Sequence, residues 1–143
     1  MATLIDTNIL VDLAVRDPHW LEWSRRQLLA AMARGSVVIN QIIFSEFSYR
    51  YDELETVDAL LPRNQFIRDN LPWSAAFAAS YAFRRYGSAD GQRDRVLPDF
   101  LIGAHATIRG YTLLTRDPSG YRRYFPGIDL IAPDTHPLSG KQT

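Results

Sequence analysis

Short apolar, β-branched runs alternate along this chain with longer stretches in which apolar residues recur at helical spacing. Thr3 to Ile5 is the first run, and it ends at Asp6 as a buried parallel strand does where it meets a loop. Asn8 to Val15 predicts a short helix. Asp17-Pro18 then supplies an N-cap acid and a proline for the first helical position, so the next helix is expected from there to Arg34. Its apolar stripe is Leu21, Leu28, Leu29 and Met32, and Gly35 predicts a left-handed stop. Val37 to Asn40 predicts a strand, Gln41 to Tyr51 a helix, Asp52 to Leu61 a further helix closed by Pro62, and Gln65 to Trp73 holds a short strand.

In the second half Ser74 is placed to cap a helix from Ala75 to Tyr86 that Gly87 ends. Ser88 to Leu97 is polar, contains the turn pair Asp90-Gly91 and predicts a surface loop. Pro98 opens a helix from Asp99 to Arg109, closed by Gly110; Thr112 to Thr115 and Asp129 to Ile131 predict strands, with a turn or short helix at Pro118 to Phe125 between them. Alternating strands and helices imply crossover units and a parallel sheet covered on both faces. The expected fold is therefore α/β, a three-layer α/β/α sandwich around a parallel sheet of about four to five strands. One domain is expected over residues 1–132, with a loosely ordered tail over 133–143. In such sheets ligands gather beyond the carboxyl ends of the strands, where Asp6 and Asp117 both fall.

Composition narrows the setting. A chain of 143 residues suits one hydrophobic core. No apolar run reaches the roughly 20 residues of a membrane helix, because Arg25, Arg26 and Arg34 interrupt the longest apolar region. The first residues carry no basic segment and place an acid at position 6, against a signal peptide. Cysteine is absent, which removes disulfides and thiolate metal sites and points to a reducing cytoplasm. Formal net charge is zero, yet 15 of the 16 basic residues are arginine, and Arg84, Arg85, Arg93, Arg95, Arg116, Arg122 and Arg123 crowd the second half. Arginine's planar fork suits phosphate; codon bias and solvated helix faces explain the same pattern equally well.

Four acids stand out by position: Asp6 after the first strand, Glu46 inside the apolar run IIFSEFSYRY, Asp99 at a helix start and Asp117 after a late strand. Clustered carboxylates repel one another and raise one another's pKa unless a cation intervenes. Hard oxygen donors, with no cysteine and no histidine at a suitable spacing, favour magnesium or manganese over zinc or copper. Such cations lower the pKa of water and stabilise charge on a phosphoryl oxygen, which suits phosphodiester hydrolysis. Each acid also has a plain structural role open to it: Asp99 at a helix macrodipole, Asp117 in a turn before Pro118, Asp6 as a helix cap, Glu46 turned to the surface.

With these pieces in order, the sequence resembles the PIN domains, and among them the VapC-like toxins of bacterial toxin–antitoxin pairs. The matching segments are LIDTNILVDL at 4–13, SEF at 45–47, PDFLIGAHA at 98–106 and LLTRDPSGYRRYFPGI at 113–128. The resemblance implies a metal-dependent endoribonuclease that holds Mg2+ or Mn2+ through Asp6, Glu46, Asp99 and Asp117. It also implies support from Asn8 and Thr115 near the same pocket. Arg116 stands beside that pocket, where it is placed either to meet RNA phosphate or to sit in solvent. The family further implies a homodimer and a cognate antitoxin protein whose tail fills a hydrophobic groove. Residues 52–73 match no family segment, so substrate choice or ordinary packing is expected there.

The remaining features fit packing better than chemistry. His19, His105 and His136 lack a partner at catalytic spacing and are expected to be structural. Ser45 and Ser48 lack a base, and no glycine-rich phosphate loop occurs. Trp20, Leu21 and Trp23, with Phe77, Tyr81 and Phe83, are expected in the core or along a partly exposed aromatic groove. A phosphotransfer or receiver-type domain also carries aspartates at strand ends, but such sites need a lysine, and the only one is Lys141. A non-catalytic RNA- or protein-binding module of the same fold is the other alternative, and the intact acid set argues against it.

Overall fold

The computed structural model describes residues 1–87 and 97–138. A five-stranded sheet, parallel throughout, has the order β3-β2-β1-β4-β5. Its strands are β1 (Thr3–Ile5), β2 (Val37–Ile39), β3 (Ile67–Arg68), β4 (Thr112–Leu114) and β5 (Asp129–Ile131). Seven helices are found among the described residues: α1 (Thr7–Val15), α2 (Leu21–Arg34), α3 (Gln41–Ser48), α4 (Leu54–Leu60), α5 (Trp73–Ala82), α6 (Leu97–Arg109) and α7 (Ser119–Tyr124). The architecture is the α/β sandwich the alternating pattern predicts, with five strands.

The three central strands are buried on both faces, which is why TLI, VVI and TLL read as continuous apolar runs rather than alternating ones. Leu4 stands between Val38 and Leu113 in register, and all three are 2% exposed or less. A second cluster, of Ala75, Ala79, Ala82, Phe100 and Ala104, joins α5 to α6. Phe100 stacks on Tyr124 at 4.4 Å between ring centroids and meets Phe83 edge-on at 5.6 Å. Strand order reverses at β1, since the chain passes to β2 on one side and to β4 on the other. A crevice therefore opens at the carboxyl ends of β1 and β4, the place where open α/β sheets bind ligands.

Several element ends differ from the sequence reading, each for a local reason. Asp17 does cap a turn, its Oδ1 accepting from the His19 and Trp20 amides at 2.8 Å, but α2 begins only at Leu21. Gly35 does close α2, its amide donating to the Ala31 carbonyl, but not from the left-handed region: its φ is 168°, and a Cβ there would collide with the Met1 carbonyl, so glycine admits the first residues of the chain. Helix α5 starts at Trp73 after Pro72, placing Ser74 inside it, and ends at Ala82 in a wider π-type turn over Phe83–Gly87. Helix α3 stops at Ser48 and α4 begins at Leu54, shorter than the apolar pattern suggests. Helix α6 opens at Leu97, whereas Gly110 closes it with φ 73°, in the left-handed region, as expected. The expected loop from Ser88 otherwise lies outside the described residues. After β5, Trp23 Nε1 donates to the His136 carbonyl at 2.7 Å and holds that segment against α2.

Candidate active site

Asp6 is the residue at which β1 becomes α1. Its amide donates to the Leu114 carbonyl, extending the sheet by one bond, and its Oδ1 accepts from the Thr7 amide at 2.7 Å as the N-cap of α1. The capping role and the site role fall on one carboxyl. Its other oxygen, Oδ2, accepts from the Thr115 hydroxyl at 2.8 Å and from Asn8 Nδ2 at 3.3 Å. Thr115, directly beyond β4 and fully buried, also accepts from Asn8 Nδ2 at 3.2 Å and from the Asp117 amide at 3.1 Å. Thr115 therefore orients Asp6 with its proton and the Asp117 backbone with its lone pairs.

Glu46, on α3, is half-buried, and its Oε1 accepts from the Thr7 hydroxyl at 2.6 Å. Asp99, in the first turn of α6, faces the same space from across the crevice, its Oδ1 lying 3.4 Å from the Tyr121 hydroxyl. Asp117 is exposed at the rim. Asp6, Glu46, Asp99 and Asp117 line one cavity of about 310 Å³, with Thr7, Asn8, Arg116 and Tyr121. Residues up to 111 positions apart are brought together there.

The electrostatics of this cavity are strained. Burial raises Asp6 to about 6, against hydrogen bonds from Thr115, Tyr121 and Thr7 that lower it. Asp99 is raised to about 7, first by the protein surrounding its carboxyl and then by the charges of Asp6, Glu46 and Asp117. As a residue Asp99 is open to solvent, which softens this repulsion without removing it. Tyr121 is driven well above its ordinary value, by burial and then by Asp6 and Asp99, so it stays a hydroxyl donor. Among the described residues no group of three or more acids or histidines stands disposed as a ready cation cage. The carboxyls share a cavity but are spread within it.

Arg116 is neither simply solvated nor free. Its Nε donates to Asp12 Oδ2 at 2.8 Å, its guanidinium lies over the Trp20 ring at 5.5 Å, and its amide donates to Asn8 Oδ1 at 3.3 Å. Asp12 is 1% exposed and takes a second bond from the Ser24 hydroxyl at 2.8 Å. Thr7, Asp12 and Tyr121 are the site residues that sequence reasoning missed. Tyr121 had one faint signal, its place four residues after Asp117. Of the histidines, His105 is fully buried between Asn40 and Asp69 at 2.8 and 3.1 Å, a structural role as expected. The aromatic groove divides: Trp23 is core, Phe83 packs on Phe100, and Phe77 and Tyr81 stand exposed on α5.

A family model described as PIN domain matches residues 3–125. Comparison with curated proteins finds no match. Among solved structures, VapBC2 from Rickettsia felis bound to a DNA fragment from their promoter is similar with a TM-score of 0.70 and 20% identity, covering 92% of this chain and 98% of that one. A toxin–antitoxin complex from Klebsiella pneumoniae is similar with a TM-score of 0.62 and 26% identity, over 92% of this chain and 97% of that one. DNA-bound VapBC from Salmonella typhimurium is similar with a TM-score of 0.67 and 20% identity, over 92% and 98%.

Proposed function

This chain belongs to the PIN-domain family, and from that premise we propose that it is a divalent-metal-dependent endoribonuclease, the toxin of a toxin–antitoxin pair. One observation carries the reading: four carboxylates far apart in sequence line a single cavity at the switch point of the sheet. Their chemistry fits a hard cation, since every acidic donor is oxygen and two of the four are pushed toward neutral pH by burial and mutual repulsion. Asp6, Glu46, Asp99 and Asp117 would hold Mg2+ or Mn2+. Such an ion, when bound, offsets the carboxylate charge, acidifies water and stabilises charge on a phosphoryl oxygen.

The chain's own groups hold this site in shape. Thr115 and Asn8 fix the rotamer of Asp6, Thr7 holds Glu46, and Tyr121 presents its hydroxyl to Asp6 and Asp99. Arg116 is the cationic side chain among the described residues lining the cavity. With Nε held by Asp12, its terminal amines are left for a backbone phosphate of RNA. Water attack on that phosphate leaves a 5′-phosphate and a 3′-hydroxyl. The partners proposed are an RNA substrate, a cognate antitoxin, as the complexes from Rickettsia felis and Klebsiella pneumoniae suggest, and a second copy of this chain.

The test is cleavage of structured RNAs by the purified protein in Mg2+ or Mn2+, with a chelator control. Cleavage that stops with chelator and in both Asp6→Asn and Asp99→Asn, while circular dichroism stays unchanged, is expected. Activity retained in either variant contradicts the assignment.

A further inference from the structure

A second concavity, of about 290 Å³, opens at the carboxyl ends of β2 and β3, on the opposite flank of α3 from the acidic site. Neighbouring strands lie about 4.8 Å apart, so two strand spacings, roughly 10 Å, separate the ends of β2 and β3 from those of β1 and β4 along the same edge of the sheet. Gln41, Phe44 and Ser45 face it from α3, while Glu46, the next residue, faces the acids. Its other wall comes from residues 54–70.

The lining is suited to a flat, polar-edged ligand. Arg68 spreads its guanidinium over the Phe44 ring at 4.8 Å, pairs with Asp58 at 2.8 Å and donates to the Leu61 carbonyl at 3.1 Å. It is thus a fixed plane rather than a mobile charge. Gln41 Oε1 accepts from the Leu71 amide at 2.8 Å, which leaves its amide donors uncommitted among the described residues. Asn70 and Arg63 are exposed at the rim. The pocket's acids are matched: Asp58 by Arg68, and Asp69 by Arg109 at 3.0 Å. A plane to stack on, carboxamides that read base edges and a neutral balance of charge are what an unpaired nucleobase needs. A membrane or an acidic peptide would want a clear excess of charge instead.

We propose that this pocket is a nucleobase subsite, which takes a base of single-stranded RNA near the bond cut at the acidic site and so sets sequence preference. The proposal rests on the ribonuclease reading for its location, but its test does not depend on cleavage. Affinities of the full chain for labelled single-stranded RNA hexamers, varied one position at a time, are measured by anisotropy in chelator, where nothing is cut. Gln41→Glu keeps the acceptor that holds Leu71 and removes the donors; Asn70→Ala changes an exposed side chain. The wild type is expected to prefer one base at one position by about ten-fold, and each variant to bring that ratio below about three-fold. Equal affinity for all four bases, or a preference that survives both variants, overturns the subsite. Loss in the variants of binding to a protein partner, with base preference unchanged, overturns it too, by making the pocket a protein-docking surface. Base-selective binding without any cleavage in Mn2+ keeps the subsite and sinks the ribonuclease reading; cleavage without base preference does the reverse.

Discussion

The hydroxyl of Thr115 serves Asp6, Asn8 and the Asp117 amide at once, so its loss should reach further than one hydrogen bond. Thr115→Val keeps the shape and takes the Thr115 bond from the buried Asp6 Oδ2, leaving it the longer one from Asn8, at a cost of about 1–3 kcal/mol. The expected consequence is a 10- to 100-fold fall in metal affinity, the usual effect of losing a group that orients a ligand. A melting curve and a Mn2+ titration of the same sample measure both. Asp6 and Asp99 predict a pH dependence whose sign follows from linkage. Both are raised in the fold, to about 6 and about 7, above an unfolded value of 3.8. The native state keeps protons that the unfolded chain releases, so metal-free stability should fall as pH rises from about 4 to about 7. The fall is on the order of 2–3 kcal/mol for the buried Asp6, and smaller than its shift suggests for solvent-facing Asp99. Urea midpoints across that range check it; flat stability would show that the fold does not hold protons on these two carboxyls. Asp6, Asp99 and Asp117 were legible because acids at strand and helix ends stand against a simple pattern, and Glu46 because it interrupts an apolar run. Tyr121 and Asp12 were not, since a tyrosine and an aspartate on amphipathic helices look like packing until tertiary contacts place them.

Helix and strand boundaries carry a different lesson. Runs such as VVI and TLL, with a stop at Gly110, were legible because burial on both sheet faces leaves an unbroken apolar signature. Helix α2 and α5 starts were misread by a few residues, because Asp17 and Ser74 have capping chemistry but Trp20 and Pro72 occupy the caps. Close approach was invisible too. Gly103 on α6 faces the Phe125 ring, which a Cβ would strike. Gly103→Ala is therefore expected to cost about 1–3 kcal/mol despite its better helix propensity. A lowered melting temperature with retained helicity is the expected result, and a raised one would show that Phe125 moves aside freely.

At the scale of the whole molecule, the strand order β3-β2-β1-β4-β5 does the assembling, since it puts the chain after β1 and the chain after β4 side by side. That order is not written in any local pattern. Parallel strands joined by helices made the fold class legible, and the resemblance supplied the pairing of acids that periodicity alone leaves scattered. The most direct test of the convergence is calorimetric titration of Mn2+ into the wild type and Asp99→Asn at pH 6.5 and 8.5, in buffers of differing ionisation heat. Asp6 and Asp99 hold protons near neutral pH, so Mn2+ should bind the wild type with proton release at pH 6.5 that vanishes at 8.5. It should bind Asp99→Asn far more weakly at both. Absence of Mn2+ binding to the wild type, or equal binding to the variant, would contradict the account.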